Sequence, residues 1–243
     1  MQTTGHEPEN NLMRLQKFLA RAGVCSRRAA EKLIIDGRIQ VNGDTVTTLG
    51  TQVDPKTDAV FFDGSRVRLP DSGVFIYIAV NKPRGVVTSC VRKHGDRIIL
   101  DLVPIPDRIF PVGRLDKDSQ GLVLLTNDGD LHNILSHPSH NHEKEYWVTT
   151  AHPVRDADLT AMAKGMVIQG KRTRKAKVTR ISKDRFTIVL KQGLNRQIRK
   201  MVGQTGNRVE TLERVRMAGV LLGDLAPGNW RHLTPGEVDG LTQ

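Results

Sequence analysis

The sequence predicts an α+β protein in two parts: a small N-terminal domain of two helices and a hairpin, then a larger domain whose mixed sheet is flanked by helices. Three observations predict it. Apolar residues recur at helical spacing from Met13 and give way to apolar/polar alternation around Asn42-Gly43, a strong short-range hairpin signal. The stretch "GSRVRLPDSGV", residues 64–74, holds a proline and two glycines and reads as a linker. Beyond it, strand and helix patterns are interspersed without the regular βαβ alternation of a doubly wound fold.

Residues 1–11 are polar and lack an apolar period, so they are expected to form a mobile tail. Within the first domain, 12–63, Leu15, Phe18 and Leu19 mark one helix. After the break at Gly23 a second helix is expected with Ser26 as its N-cap, Ala29, Ala30, Leu33 and Ile34 inward, and Gly37 beyond its end. In the second domain, 75–243, "FIYIAVNKPRGVVT" opens with a near-continuous apolar strand. "GLVLLT" reads as a short buried strand, and Asn127 or Asp128 caps a helix that must stop before Pro138. "KEYWVTT", "KVTRIS" and "RFTIVLK" read as strands, "DADLTAMAKGM" contains a helix, and "GVLLG" and "GNWRHLT" are short closing strands. In "NRQIRKMVGQTG" a basic helix turns Ile198, Met201 and Val202 inward, with Gly206 beyond its end.

Lys and Arg number 37 against 26 Asp and Glu, a formal net charge of +11 over 243 residues, which points to a polyanionic partner and to nucleic acid first. No apolar run approaches the roughly 18 residues that a bilayer span needs, and "MQTTGHEPENN" lacks the basic start and apolar core of a secretory signal. The expectation is a cytoplasmic protein without a membrane partner. Cys25 and Cys90 match no zinc spacing and are expected as free thiols.

The first domain carries Arg14, Lys17, Arg21, Arg27, Arg28, Lys32 and Arg38, most of them on or beside its helices, which predicts one basic face. Any one of these is as well explained by a solvated helix surface; the clustering favours a phosphate-contacting face. "MRLQKFLARAGVCSRRAAEKLIIDGRIQVNG" resembles the αL RNA-binding motif, a small ribosomal-protein domain that recurs in RNA-modifying enzymes. The resemblance implies binding of structured RNA through phosphate and shape contacts.

The search for chemistry first excludes several classes. There is no GxxxxGK[ST], GxGxxG, HExxH or GxSxG pattern. His137, His140 and His142 lie close together in a polar loop and are better read as RNA-facing or solvated than as metal ligands. One carboxylate stands in an odd place: Asp116, two residues after Arg114 at the edge of a buried strand, with Asp118 beyond it. Taken alone, the segment would make Asp116 a turn or capping residue paired with Arg114.

The segment is not alone. "VGRLDKDSQGLVLLTNDG" resembles the catalytic motif of the pseudouridine synthases, and the resemblance implies that Asp116 is the nucleophile. "HEKEYWV" is similar to the family's second motif, which places Tyr146 against the target uracil. "QGLNRQIRKM" is similar to the third, which implies that Arg199 pairs with Asp116 beneath Ile198. "NKPRGVVTS" is similar to the first conserved strand and loop, which implies that Lys82 and Pro83 shape the site. Arg114 is then expected to hold the loop and the RNA backbone, and Asn195, Arg196 and Lys200 to contact RNA, since Arg196, Arg199 and Lys200 on one turn favour a phosphate or carboxylate partner. Asp118 is assigned only a structural or capping role.

The family resemblance implies a mixed, largely antiparallel sheet. It implies covalent attack by Asp116 on an extruded uridine, at the base or at the sugar carbon, with no cofactor and no metal. Large-subunit (23S) ribosomal RNA is the expected substrate, with small-subunit RNA or a transfer RNA stem-loop as alternatives, and the expected form is a monomer. A non-catalytic RNA-binding or ribosome-assembly factor fits the composition equally well but does not require an aspartate, an aromatic and an arginine together. A nucleic-acid hydrolase lacks the clustered carboxylates of two-metal chemistry.

Overall fold

The computed structural model describes residues 11–69, 75–136 and 141–242. The chain divides into two compact units, residues 1–74 and 75–243.

The first unit begins with β1 (Met13–Arg14), α1 (Leu15–Arg21) and α2 (Arg27–Ile35). Ser26 caps α2, its Oγ accepting from the Ala29 amide at 3.2 Å. Gly37, at φ +69, follows the helix and donates its N–H to the Ile34 carbonyl at 3.0 Å. β2 (Ile39–Val41) and β3 (Asp44–Val46) form the expected hairpin, with both Asn42 and Gly43 at positive φ. β4 (Gln52–Val53) pairs with β1, while β5 (Val60–Phe62) and β6 (Ser65–Val67) extend the hairpin into a four-stranded sheet in the order β3-β2-β5-β6. Leu15, Phe18, Leu19, Ala30, Ile34, Ile39, Val53 and Val60 form the unit's own core.

Two expectations are corrected here. Residues 65–67, read as linker, are a sheet strand, because Val60, Phe61 and Phe62 need a partner for their backbone groups; residues 70–74 lie outside the described residues. Ala29, expected inward, is exposed, since the apolar stripe of α2 runs through Ala30 and Ile34.

In the second unit β7 (Tyr77–Lys82), β8 (Phe110–Val112), β9 (Gln120–Thr126), β10 (Lys144–Thr150), β13 (Lys177–Arg180), β14 (Arg185–Leu190), β15 (Val209–Met217), β16 (Val220–Leu221) and β17 (Trp230–His232) build one sheet. Its main order is β13-β14-β10-β15-β9-β7-β17, with β8 also on β9 and β16 on β15. The β9–β15 pair is parallel and the other strand pairs of this sheet are antiparallel, so the sheet is mixed and largely antiparallel. β11 (Val167–Ile168) and β12 (Lys171–Arg172) form a separate small hairpin. Helices α3 (Gly129–Ser136), α4 (Asp156–Lys164), α5 (Gln197–Gln204) and α6 (Pro235–Thr242) complete the unit. Asp128 caps α3, its Oδ1 accepting from the amides of Asp130 and Leu131, whereas Asn127 accepts from the Ile76 amide and ties the strand ends together.

β15 and α6 carry no clear signal in the sequence. β15 alternates charges with apolar residues on a strand whose pairing with β10 is twice bulged. α6 opens with a reciprocal cap: the Thr234 amide donates to Glu237 Oε2 at 2.9 Å and the Glu237 amide to Thr234 Oγ1 at 3.3 Å, with Pro235 at the first helical position.

The parallel junction is short. Only Glu213–Gln120 and Arg214–Gly121 are in register, and the backbones come so close that a Cβ on Gly121 would stand 2.4 Å from the Arg214 carbonyl oxygen. Gly121 also sits at φ +102, where side chains are strained. Gly121→Ala is therefore expected to destabilise the second unit by on the order of 3 kcal/mol. Chemical denaturation checks this; a midpoint equal to wild type would mean that the strands do not approach as described.

Candidate active site

The segment 113–119 leaves β8 and enters β9, and its backbone is held from several sides. Thr88 Oγ1 accepts from the Leu115 amide at 3.2 Å and donates to the Leu115 carbonyl at 2.9 Å. Gly85 donates its amide to the Lys117 carbonyl at 2.7 Å. Leu115 is buried among Ile78, Val80, Val86 and Ile99. Between these anchors Asp116 is left with its side chain one-third exposed.

Asp116 lies on the wall of a cavity of about 270 Å³, near the small end of ligand clefts. Its floor is one face of the sheet: Lys144 and Tyr146 from β10, Leu190 from β14, Leu212 and Arg214 from β15. The 193–196 turn and the start of α5, with Ile198, form the facing wall. Tyr146 is half-buried and packs against the apolar cluster of Ile188, Leu190, Ile198 and Leu212, leaving its ring available to the cavity. Arg114 is exposed at the rim. Among the described residues five cationic side chains, Arg114, Lys144, Lys191, Arg196 and Arg214, border the cavity against one carboxylate, Asp116. Such a site favours an anionic ligand, or negative charge that develops during a reaction.

The arginines are arranged differently from the expectation. Arg196 reaches Asp116: its Nη1 lies 3.5 Å from Asp116 Oδ2, while its fork binds Asp118 through Nη1 at 3.1 Å and Nη2 at 3.0 Å. Arg199, expected as the partner of Asp116, instead donates from Nη2 to the Asp118 carbonyl at 2.9 Å and to Ser119 Oγ at 3.2 Å, and from Nη1 to the Val209 carbonyl at 3.3 Å. Its Nε lies 3.4 Å from Asp118 Oδ2. The physical reason is helix phase. Arg196 is the left-handed residue before α5, at φ 53, and projects toward the loop, whereas Arg199, one turn on, is drawn between the loop and β15. The Arg196 hydrogen bonds hold the Asp118 carboxyl below the usual carboxylate range, against the opposing effect of burial. Asp118 is thus the brace of the loop, in line with its structural assignment.

These roles separate experimentally. Arg199→Ala leaves two carbonyls and a hydroxyl without their donor and should cost about 1–3 kcal/mol of stability. Arg196→Ala, at a side chain 43% exposed, should change stability by under about 1 kcal/mol while turnover falls at least tenfold. Paired denaturation curves and single-turnover rates check this; equal stability losses would remove the distinction.

Lys82, expected to shape the substrate pocket, does not line the cavity. It is completely buried, and its Nζ donates to the carbonyls of Pro83 at 2.9 Å and Val86 at 2.8 Å, holding the 83–86 turn on which the loop rests. Burial pushes its ammonium down to about 8, against the raising effect of Asp118 and Asp116. The folded value lies below the ordinary 10.5, so the unfolded chain binds more protons between the two and stability rises with pH there. In Lys82→Met this contribution is absent. The melting temperature of wild type should gain several degrees on that variant from pH 8 to pH 10; parallel curves would contradict a buried, weakened ammonium.

Among the remaining expected residues, Arg14, Arg21, Arg27, Arg28 and Lys32 are exposed on the first unit and Lys17 is half-buried beside them. Arg38 is exposed as well but is paired, donating from Nε to Asp63 at 3.0 Å and lying 4.9 Å from the Phe62 ring centroid. Asn195 is exposed; Lys200 is partly buried and gives its protons to Gln169 at 2.8 Å and Asn195 at 3.4 Å. His137 and His140 lie outside the described residues, and among the described residues no cluster of three His, Cys, Asp or Glu could hold a metal ion. The cavity cations that the sequence did not single out are Lys144, Lys191 and Arg214, and nothing in "TLERVRM" distinguishes Arg214 from a surface arginine.

One carboxylate, a half-buried tyrosine and an arginine fork around a cationic cavity in a basic two-unit protein fit an RNA-modifying enzyme. The chain belongs to the RNA pseudouridine synthase family: the RNA pseudouridylate synthase model matches residues 76–204, and the S4 domain model matches 13–58. It is 42% identical over 226 residues to the dual-specificity RNA pseudouridine synthase RluF of Escherichia coli (strain K12), covering 93% of this chain and 77% of that protein. It is also 42% identical over 249 residues to an uncharacterized RNA pseudouridine synthase of Mycobacterium tuberculosis, covering 98% and 97%. A solved structure titled as a pseudouridylate synthase superposes with a TM-score of 0.70 at 31% identity, over 94% of this chain and 99% of that one. The protein is an RNA pseudouridine synthase. Among the described residues no helix is long and apolar enough to cross a membrane.

Proposed function

We propose that the enzyme isomerises a uridine of ribosomal RNA, in the large-subunit 23S molecule, with Asp116 as nucleophile. The observation that carries the assignment of Asp116 is its place as the single carboxylate, among the described residues, on a cationic cavity whose floor includes Tyr146. A base stacked in folded RNA must be extruded to reach it, at a cost of a few kcal/mol that stacking on Tyr146 and backbone contacts offset. Arg196 stands beside the carboxylate and Ile198 closes the wall. Arg114 at the rim, with Asn195 on the adjoining turn, faces the RNA backbone. No metal or cofactor enters this scheme.

The exposed cations of the first unit, Arg14, Arg21, Arg27, Arg28 and Lys32, with Lys17, supply phosphate contacts that position the RNA. The ribosomal assignment rests on the union of this module with the "GRLD" domain and on the motif resemblance of "QGLNRQIRKM". The designation of the Escherichia coli relative as dual-specificity favours a second RNA class, and a transfer RNA stem-loop is the one to examine. The same proposal has the enzyme act in the cytoplasm, as a monomer.

Mapping pseudouridines across cellular RNA with and without the gene, with Asp116→Ala as the rescue control, tests the reading. One large-subunit site should vanish, return with wild type and stay absent with Asp116→Ala, whose turnover should be lower by several orders of magnitude. Loss confined to small-subunit or transfer RNA would replace the substrate, and rescue by Asp116→Ala would remove the nucleophile. Arg14→Ala, Arg27→Ala and Arg28→Ala combined should flatten the salt dependence of RNA binding by about 0.7 to 0.9 for each phosphate no longer neutralised; an unchanged slope would take the module out of the RNA interface.

A further inference from the structure

Two charged side chains are fully buried among the described residues, Lys82 and Arg214, and the loop carbonyls account for Lys82. Arg214 is only 1% exposed, at the centre of the sheet. Its Nε donates to the Leu122 carbonyl at 2.6 Å, which fixes the guanidinium plane, but its Nη2 is buried with no hydrogen-bond partner. An orphaned buried guanidinium N–H costs more than a typical hydrogen bond contributes, so its retention calls for an acceptor that arrives later. Arg214 borders the cavity and lies opposite Tyr146 in the β10–β15 register. Its positive charge also bears on its neighbours. It adds to the burial that lowers the affinity of both Lys82 and Lys144 for their protons. An anion or a strong oxygen acceptor beside it would relieve both the repulsion and the missing bond.

We propose that Arg214 is a catalytic residue whose Nη2 donates to a carbonyl oxygen of the extruded uracil and stabilises the negative charge that the base acquires during isomerisation. The inference rests on the uridine chemistry assigned above. The electron count requires such a group. When the C1′–N1 bond breaks with Asp116 joined to the sugar carbon, its electron pair leaves on the base and spreads to O2 and O4. When Asp116 adds to C6 of the base, the ring electrons it displaces rest on O4, and the C1′–N1 bond breaks from that adduct. In either route C5 then bonds to C1′, the carboxylate is released, C5 gives up its proton and N1 takes one, so the product is an isomer and nothing is oxidised or reduced. A preorganised donor aimed at the developing charge, in a site shielded from water, lowers the barrier without reorganising at the moment of reaction.

The test uses full-length protein and an RNA that wild type converts, so that an error in the assigned ribosomal site does not enter. Arg214→Gln should bind this RNA within about threefold of wild type while its single-turnover rate falls about 10²- to 10³-fold, the usual effect of removing one such donor. With 5-fluorouridine at the target, whose base is the better leaving anion, the deficit measured as loss of the fluorinated nucleoside should shrink at least tenfold. A rate within threefold of wild type on uridine, or the same deficit on both RNAs, would overturn the proposal and leave Arg214 a structural residue. Should Arg214→Gln fail to fold, wild type with nitrogen-15-labelled arginine supplies a second reading. The Arg214 guanidinium protons should move downfield when the 5-fluorouridine RNA binds, and unchanged resonances would overturn the proposal.

Discussion

The close parallel contact of β9 with β15 at Gly121 and Arg214 is the constraint on which the rest of the structure depends. It is the one seam between β13-β14-β10-β15 and β9-β7-β17. The Asp116 loop runs directly into β9, α5 runs toward β15, and Tyr146 sits on the strand paired with β15. The nucleophile candidate, the arginine fork and the aromatic therefore come from three distant stretches of sequence, a loop, a helix start and a strand, that meet at one place. A two-residue register suffices because both backbones are otherwise saturated by antiparallel neighbours.

Around that seam, electrostatics divides the labour between structure and chemistry. Carboxylates beyond the cavity are committed: Asp118 to Arg196 and Arg199, Glu143 and Glu145 to Arg216, Glu237 to Arg231. The hydrogen bonds from Arg231 hold Glu237 down to about 2, so that pair stays ionised throughout the working range. Within the cavity the balance reverses, with cations in excess over the one carboxylate. Pairs of the first kind contribute stability and orientation. The second kind of imbalance is costly to maintain in a folded protein and is expected where a charged ligand or transition state completes it.

The sequence carried the α+β class, the N-terminal hairpin, the helix caps at Ser26 and Asp128, and the sheet strands with strong apolar runs, because each depends on local chemistry. It did not carry β15, whose Glu and Arg residues read as surface until the bulged pairing with β10 turns Leu212 and Arg214 to one face. Nor did it resolve Arg196 from Arg199. Three residues apart on one turn, they are equivalent by spacing, and only the left-handed backbone at Arg196 separates a residue that reaches Asp116 from one that braces the loop behind it. Lys82 lies next to the Asp116 loop, but spacing cannot tell a side chain that touches substrate from one buried beneath that loop.

On the proposed mechanism one extruded uridine enters the cavity between Tyr146 and Ile198 with Asp116 at its side. A crystal structure of Asp116→Ala bound to an RNA fragment carrying the converted site tests it most directly. The target base should lie out of its helix, with one face on the Tyr146 ring and its sugar next to residue 116. A target uridine left stacked in the RNA, or lodged on the opposite sheet face beside Trp147 and Leu221, would contradict it.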